Sequence, residues 1–170
     1  RTSTIDSNLT MRGGGEITGP GSATVTVKGT QTATTDEINR IITLSGLAVA
    51  GAITLAADGT GAVTIVNDAG LILAASTMGG TFSGTATTGN ITQTGALDIE
   101  GAITLVTLGQ GADIVLTPVT NAFTTHLLIT TNAIGSDIDA NVSVDGGPTN
   151  LIIGTSTIDG NLTFRSGGTI

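Results

Sequence analysis

Residues 2–17, TSTIDSNLTMRGGGEI, return at 155–170 as TSTIDGNLTFRSGGTI, with four changes in sixteen positions at an offset of 153. A chain that repeats itself so closely is built by stacking one kind of unit on the next, and not by wrapping unlike segments around a single centre. A second self-match at an offset of 50 relates Gly51-Ala-Ile-Thr-Leu55 to Gly101-Ala-Ile-Thr-Leu105, and Gly59-Thr-Gly-Ala62 to Gly109-Gln-Gly-Ala112. A weaker copy of the first segment begins at Ser76. The two offsets share no simple divisor, so the expected form is a coil of irregular turns with a larger unit of about 150 residues superposed on it.

The local pattern is strand. Apolar residues alternate with Thr, Ser or Asp in short runs: ATVTV at 23–27, ITL at 53–55, VTI at 63–65, LDI at 97–99, ITL at 103–105, VSV at 142–144 and NLTF at 161–164. A period of two places Val, Ile and Leu on one face and hydroxyls on the other, and the Gly, Asn and Asp between runs supply turns. Leu, Ile, Val and Phe make up 46 of the 170 residues, above the roughly 20% below which a chain cannot bury a core. With 3 Phe and no Trp or Tyr, that core must be filled by small and β-branched side chains in thin layers. A sandwich needs longer antiparallel strands with hairpin signals and does not repeat itself. In a parallel solenoid each coil lies about 4.8 Å above the last, so like side chains stack and like sequences recur. The expected fold is therefore all-β, a parallel β-helix (β-solenoid) of irregular coils of about 20–25 residues. It runs as a single segment through 1–170, in about seven to eight coils and roughly 35 Å.

Two local features leave alternatives. Asn132, Asn141, Asn150 and Asn161 recur at intervals of 9, 9 and 11, which suits either stacked amide ladders or the ordinary frequency of Asn in turns. Residues 35–41, TDEINRI, read either as one helical turn capped by Thr35 or as a polar loop leaving the coil.

The run 75–105, ASTMGGTFSGTATTGNITQTGALDIEGAITL, resembles the repeats of giant bacterial exoproteins of the filamentous-haemagglutinin type, the adhesins of two-partner secretion. Residues 111–123, GADIVLTPVTNAF, keep the Asp-Ile and Asn-Ala-Phe elements of the coil that follows in such repeats, and 63–70, VTIVNDAG, is similar to another such coil. The resemblance covers roughly residues 45–125, while 18–44 and 126–153 depart from it. It implies a right-handed parallel β-helix, export across the outer membrane, and a stalk or adhesin at the cell surface.

The remaining chemistry is sparse. Five cations, Arg1, Arg12, Lys28, Arg40 and Arg165, are scattered through a chain of net charge −8. Neither nucleic acid nor an anionic membrane surface finds the clustered cations it needs. The most apolar run, 44–57, is broken by Gly46 and Gly51 and falls short of the ~20 residues of a spanning helix, so no membrane insertion is expected. Without Cys there are no disulfides or thiolate metal sites. His126, the single histidine, sits beside Leu127, Leu128 and Ile129 and reads as an ordinary strand-edge residue, with no Gly-x-Ser-x-Gly elbow to serve. The carboxylate pairs Asp98/Glu100 and Asp137/Asp139 fit either a solvated outward face or the acids of a β-helix glycosidase or lyase. Residues 137–141 imitate the opening of a calcium loop but lack its Gly and its closing Glu, at Val142 and Pro148. Residues 109–115 form one unstacked copy of a calcium nonapeptide. The Thr-x-Thr pairs at 24/26, 32/34 and 85/87 do not recur on every coil as an ice-binding row requires, and the glycan-acceptor patterns at Asn8, Asn90, Asn141 and Asn161 fit strand-turn grammar.

No catalytic, cofactor-binding or metal residue is assigned on this basis, and the chain is not expected to be an enzyme. Its expected role is structural and adhesive: a stiff extracellular rod, stalk or filament of a bacterial surface protein, of which 1–170 is an excerpt or repeating unit. The expected partners are further copies of the same array, joined covalently or end to end, and host or neighbouring-cell glycans or proteins. The competing reading is a β-helix polysaccharide-degrading enzyme or a phage tailspike-like carbohydrate-binding protein.

Overall fold

The structure is a computed structural model, and it describes residues 2–118, 120–132 and 139–170. The first coils run through β1 (Thr2–Ile5), β2 (Leu9–Gly13), β3 (Ile17–Thr18), β4 (Thr24–Val27) and β5 (Gln31–Thr35). β6 (Ile42–Val49), β7 (Ile53–Ala57), β8 (Val63–Asn67), β9 (Leu71–Leu73) and β10 (Ser76–Met78) follow. Next come β11 (Phe82–Ala86), β12 (Ile91–Gln93), β13 (Leu97–Ile99), β14 (Ile103–Thr107) and β15 (Ile114–Leu116). The last five are β16 (Ala122–Phe123), β17 (His126–Thr130), β18 (Val142–Asp145), β19 (Ile152–Ile153) and β20 (Leu162–Arg165).

Every pairing between these strands is parallel, and each strand pairs with one a full coil away, which makes the expected β-solenoid. One sheet stacks β1, β4, β6, β8, β11, β14, β17 and β19, with β3 beside β6. The other begins as β2, β5 and β7 and then divides. The Ile53 end of β7 carries the column β9, β12, β15, β18, β20, and its Ala56–Ala57 end carries β10, β13, β16. The coil thus changes from two principal sides to three at β7. Steps between stacked partners run from 19 residues (Val63 to Phe82) to 28 (Ile114 to Val142), a wider spread than the expected coils of about 20–25 residues. Steps of such different length leave the ladder undisturbed, because only the strand positions must lie in register.

The 153-residue return has a structural meaning. Leu9 lies under Gln31, then Ile53, Leu73 and Gln93, and the column continues through β15, β18 and β20. That climb takes seven steps, about 34 Å of rod, and ends at Phe164, so the offset of 153 is seven coils less two residues, one inward position along the strand. The offset of 50 is different in kind. Ile53 of β7 lies in the second sheet, whereas Ile103 of β14 lies in the first. The shared Gly-Ala-Ile-Thr-Leu is a corner followed by a half-buried strand, and it serves on either side of the rod.

Inward positions form vertical columns. Ile17, Ile42, Val63, Phe82, Ile103 and Leu127 follow one another in register and are all buried. The alternation of β7, β8, β11 and β14 is the same at every strand, buried residues separated by half-buried ones. β6 spans two columns, β3 beneath its first half and β4 beneath its second, and the register slips between Leu44 and Leu47. Gly46 makes that bulge: its φ is 71°, and a Cβ there would overlap the Ala23 carbonyl oxygen. Residues 36–40 form a loop and not a helical turn, with Asn39 at φ 61° and Ile38 exposed. Asp36 is drawn to Arg12 one coil away and Glu37 to Arg40, so the charges tie the loop to the rod instead of capping a helix.

Candidate functional site

Polar side chains do two separate jobs in this rod, one at its corners and one in its interior. At one corner Asn90 Oδ1 accepts the Asp113 amide at 2.9 Å, Asp113 Oδ1 accepts the Asn141 amide at 2.7 Å, and Asn141 Oδ1 accepts the Asn161 amide at 3.0 Å. Each oxygen holds the backbone N–H of the coil above, where the chain turns and no strand partner exists for it. Asn8 does the same for Thr30, Asn39 for Thr60 and Asn150 for Thr169. Of the four Asn singled out by spacing, only Asn141 and Asn161 share a ladder; Asn132 donates to the Leu108 carbonyl instead. Intervals of 9 to 11 fall within one coil, whereas a ladder needs the coil period. The four glycan-acceptor patterns are this corner grammar: Asn8, Asn90, Asn141 and Asn161 each immediately precede a strand.

The interior amides were missed by spacing arguments. Asn67, fully buried, accepts the Val49 amide and donates to the carbonyls of Val49 and Gly70. Asn121 and Gln93 exchange two hydrogen bonds across a coil boundary, and Asn121 also takes the Leu97 amide and donates to the Asp145 carbonyl. The signal that finds them is parity: in Val63-Thr-Ile-Val-Asn67 the Asn falls on the same face as Val63 and Ile65. Gln31, between Leu9 and Ile53, is also fully buried, but neither end of its amide has a hydrogen-bond partner. Since an unsatisfied buried polar group costs about 1–3 kcal/mol, Gln31→Leu is expected to stabilise the chain by about 1–2 kcal/mol, read from the urea midpoint at unchanged slope.

The outward faces carry hydroxyls. Thr18, Thr43, Thr64, Ser83 and Thr104 stack in one row on the first sheet until Leu128 ends it. The adjacent row reads Val66, Thr85, Val106, so paired Thr rows do not form. Asp98 points outward between Thr77 below and Ala122 above, with no carboxylate in register on either neighbouring strand. Glu100 is exposed, and its backbone carbonyl accepts the Thr124 hydroxyl. Of the second pair, Asp139 is exposed and Asp137 lies outside the described residues. Asp113, the acid of the calcium-like stretch, is occupied by the corner ladder. His126 opens β17 on the surface, in register with Ile152.

Two clefts of about 230 and 250 Å³ flank the Arg165 side chain. Their one carboxylate, Asp145, is buried, accepts the Gly147 amide at 2.8 Å and lies 3.5 Å from Arg165 Nε. A carboxylate held this way has no second acid facing it, so the clefts present no acid-base pair. Among the described residues no group of three or more His, Cys, Asp or Glu is arranged to hold a metal ion, and no helix is long and apolar enough to cross a membrane. The side chains converge on backbone groups of the rod itself and not on a common point in solvent.

Comparison with known proteins agrees with a repetitive architecture. Residues 60–130 match a family described as repeats of unknown function (DUF5649). The matched stretch runs from the loop before β8 through β17, the part of the solenoid with three strands per coil. No curated protein and no solved structure matches the chain. The repeat family and the parallel solenoid therefore stand together, and neither assigns a ligand.

Proposed function

We propose that this chain is a structural and adhesive element of a bacterial surface protein, a stiff rod that forms a filament or holds a binding tip away from the cell. The observation that carries this reading is the recurrence of one sixteen-residue segment seven coils further along the stack. A polymer of equivalent layers gains length and stiffness from repetition and needs no single reactive residue. The similarity of residues 75–105 to filamentous-haemagglutinin-type repeats favours an exported adhesin associated with the outer membrane. On this reading the partners are further copies of the array and, at its surface, host or neighbouring-cell glycans or proteins. The chain is neither an enzyme nor a carrier of a cofactor, in keeping with the commitment of the buried Asn67 and Asn121 amides to the rod itself.

The test uses an antibody against this segment. Labelling of intact, unpermeabilised cells and a native polypeptide far larger than the 16.6 kDa of this sequence are expected. A protein of that mass confined to the cell interior would overturn the proposal. So would release of new reducing ends from polysaccharide by the purified chain, which would establish the enzymatic alternative.

A further inference from the structure

The segment that occurs twice is seen in two different settings, and the two are complementary halves of one. In its first occurrence it has a coil above it. Asn8 Oδ1 accepts the Thr30 amide, the Leu9 amide donates to the Thr30 carbonyl at 2.9 Å, and Arg12 Nε bonds Asp36 Oδ1 at 2.6 Å. In its second occurrence it has a coil below it. Asn161, the counterpart of Asn8, donates to Asn141, and Arg165, the counterpart of Arg12, faces Asp145. The groups used upward in one copy differ from those used downward in the other. Asn8 uses its side-chain oxygen, whereas Asn161 uses its amide hydrogens and leaves that oxygen for a coil above. A guanidinium with five donors can serve carboxylates on both sides.

The geometry points to a specific joint: residues 155–170 of one repeat unit receive residues 30–36 of a second copy, in the place that residues 2–17 occupy beneath those residues in this chain. The Asn90–Asp113–Asn141–Asn161 ladder then continues into the second copy's Thr30, and Arg165 lies between Asp145 and the second copy's Asp36. The four differences between the segments fit this arrangement. Ser7 becomes Gly160 under Gly29, where the fit is already close, and Gly13 becomes Ser166 at a position whose carbonyl accepts the Asp36 amide. Met11 becomes Phe164 opposite Ala33, a small inward side chain, and Glu16 becomes Thr169, at a position outside the bonds that join Asn8, Leu9 and Arg12 to the coil above. The partner is another copy of this array at a spacing of seven coils. The inference deepens the rod reading and rests on it for its biological use, but it is tested apart from it.

A tandem chain, residues 1–170 followed directly by 18–170, keeps the 153-residue phase. A control, 1–170 followed by 1–170, makes the step from Thr155 to the next Thr2 17 residues, shorter than the 19 of the tightest step in the rod. In the in-phase tandem, X-ray scattering is expected to show one straight rod about 34 Å longer than the single chain. Hydrogen exchange at the Leu162 amide is expected to slow at least about 100-fold relative to the single chain, because an amide inside a ladder exchanges only when its coil opens. The control is expected to leave Leu162 fast and to scatter as a bent or two-bodied particle. Asn161→Ala in the in-phase tandem should speed exchange at the second copy's Thr30 about tenfold or more, because that corner amide loses its one acceptor in the coil below. Equal Leu162 exchange in tandem and single chain, identical behaviour of tandem and control, or aggregation of the tandem where the single chain stays soluble would each overturn the joint. None of these results depends on where the protein resides in the cell, so failure of the joint and failure of the surface-rod reading are separable.

Discussion

Asn67→Ala is expected to destabilise the chain by about 3 kcal/mol, read as a lower urea midpoint with the slope unchanged. The residue sits at the inward end of β8, with Leu47 below it and Ala86 above, and is fully buried. Its amide accepts the Val49 N–H at 2.8 Å and donates to Val49 O at 3.0 Å and Gly70 O at 2.6 Å. Those backbone groups belong to corners, where β6 ends and where the chain turns from β8 into β9, so the ladder gives them no other partner. Alanine leaves three backbone groups unsatisfied at a site closed to water, each worth about 1–3 kcal/mol before local relaxation. Asn67→Asp separates this from mere loss of packing. A carboxylate keeps the acceptor but loses both donors, and burial without a cation raises its folded-state pKa above the unfolded value. The folded state then holds a proton that the unfolded state releases, so stability falls as pH rises from the ordinary carboxylate range toward that raised pKa. At pH 4 the Asp variant should be more stable than at pH 8, while the Ala variant should show no added pH dependence. If Asn67→Ala shifted the midpoint by less than about 0.5 kcal/mol, the corner amides would not be what closes the coil.

The same residue shows what can and cannot be read from the sequence. The parity of Val63-Thr-Ile-Val-Asn67 makes the strand and its inward face legible, and the same rule works for Ile53, Leu55, Ile103 and Leu105. Stacking is legible because equivalent layers reuse one segment, as residues 2–17 and 155–170 do seven coils apart. Coil length is less so. The steps between stacked partners, 28 residues from Ile114 to Val142 and 19 from Val63 to Phe82, leave no constant period for the sequence to display. The repeat at 50 reuses a corner-plus-strand phrase on two different sheets, since period-two patterning records that a face is buried but not which side of the rod it belongs to. The Asn intervals mislead for a related reason: Asn141 and Asn150 lie in the same coil, whereas Asn90, Asp113 and Asn141, joined through space, are separated by 23 and 28 residues. Catalytic pairs such as Asp98 and Glu100 are easily proposed from a strand, but only the neighbouring coils, with Thr77 and Ala122 in register, reveal that nothing acidic faces Asp98.

Phe82→Ala is expected to have the largest effect of the substitutions considered, about 3–5 kcal/mol, because it removes a fully buried aromatic ring from a thin layer. Phe82 is 1% exposed, between Val63 and Ile103 in a column of aliphatic side chains. The layer accommodates a ring only because Gly84, the next inward residue of β11, has no side chain: a Cβ there would lie 3.0 Å from both Phe82 Cζ and Leu71 Cδ2. Leu105 above and Ile65 below show the side-chain size usual for the Gly84 column. One large and one absent side chain therefore share the volume of two ordinary ones, as close packing of a thin layer demands. Gly84→Val alone is expected to cost about 1–3 kcal/mol by overpacking. Paired with Phe82→Leu, it places a medium side chain at each position. The double variant should be less destabilised than the sum of its parts by at least about 1 kcal/mol, since contacting residues in one layer are not independent. Additive losses in such a double-mutant cycle, measured by urea unfolding, would show that Gly84 is required by its backbone and not by the ring beside it. Compensation would instead locate the constraint in the cross-section of the rod, where every coil must fill the same lumen whatever residues its sequence provides.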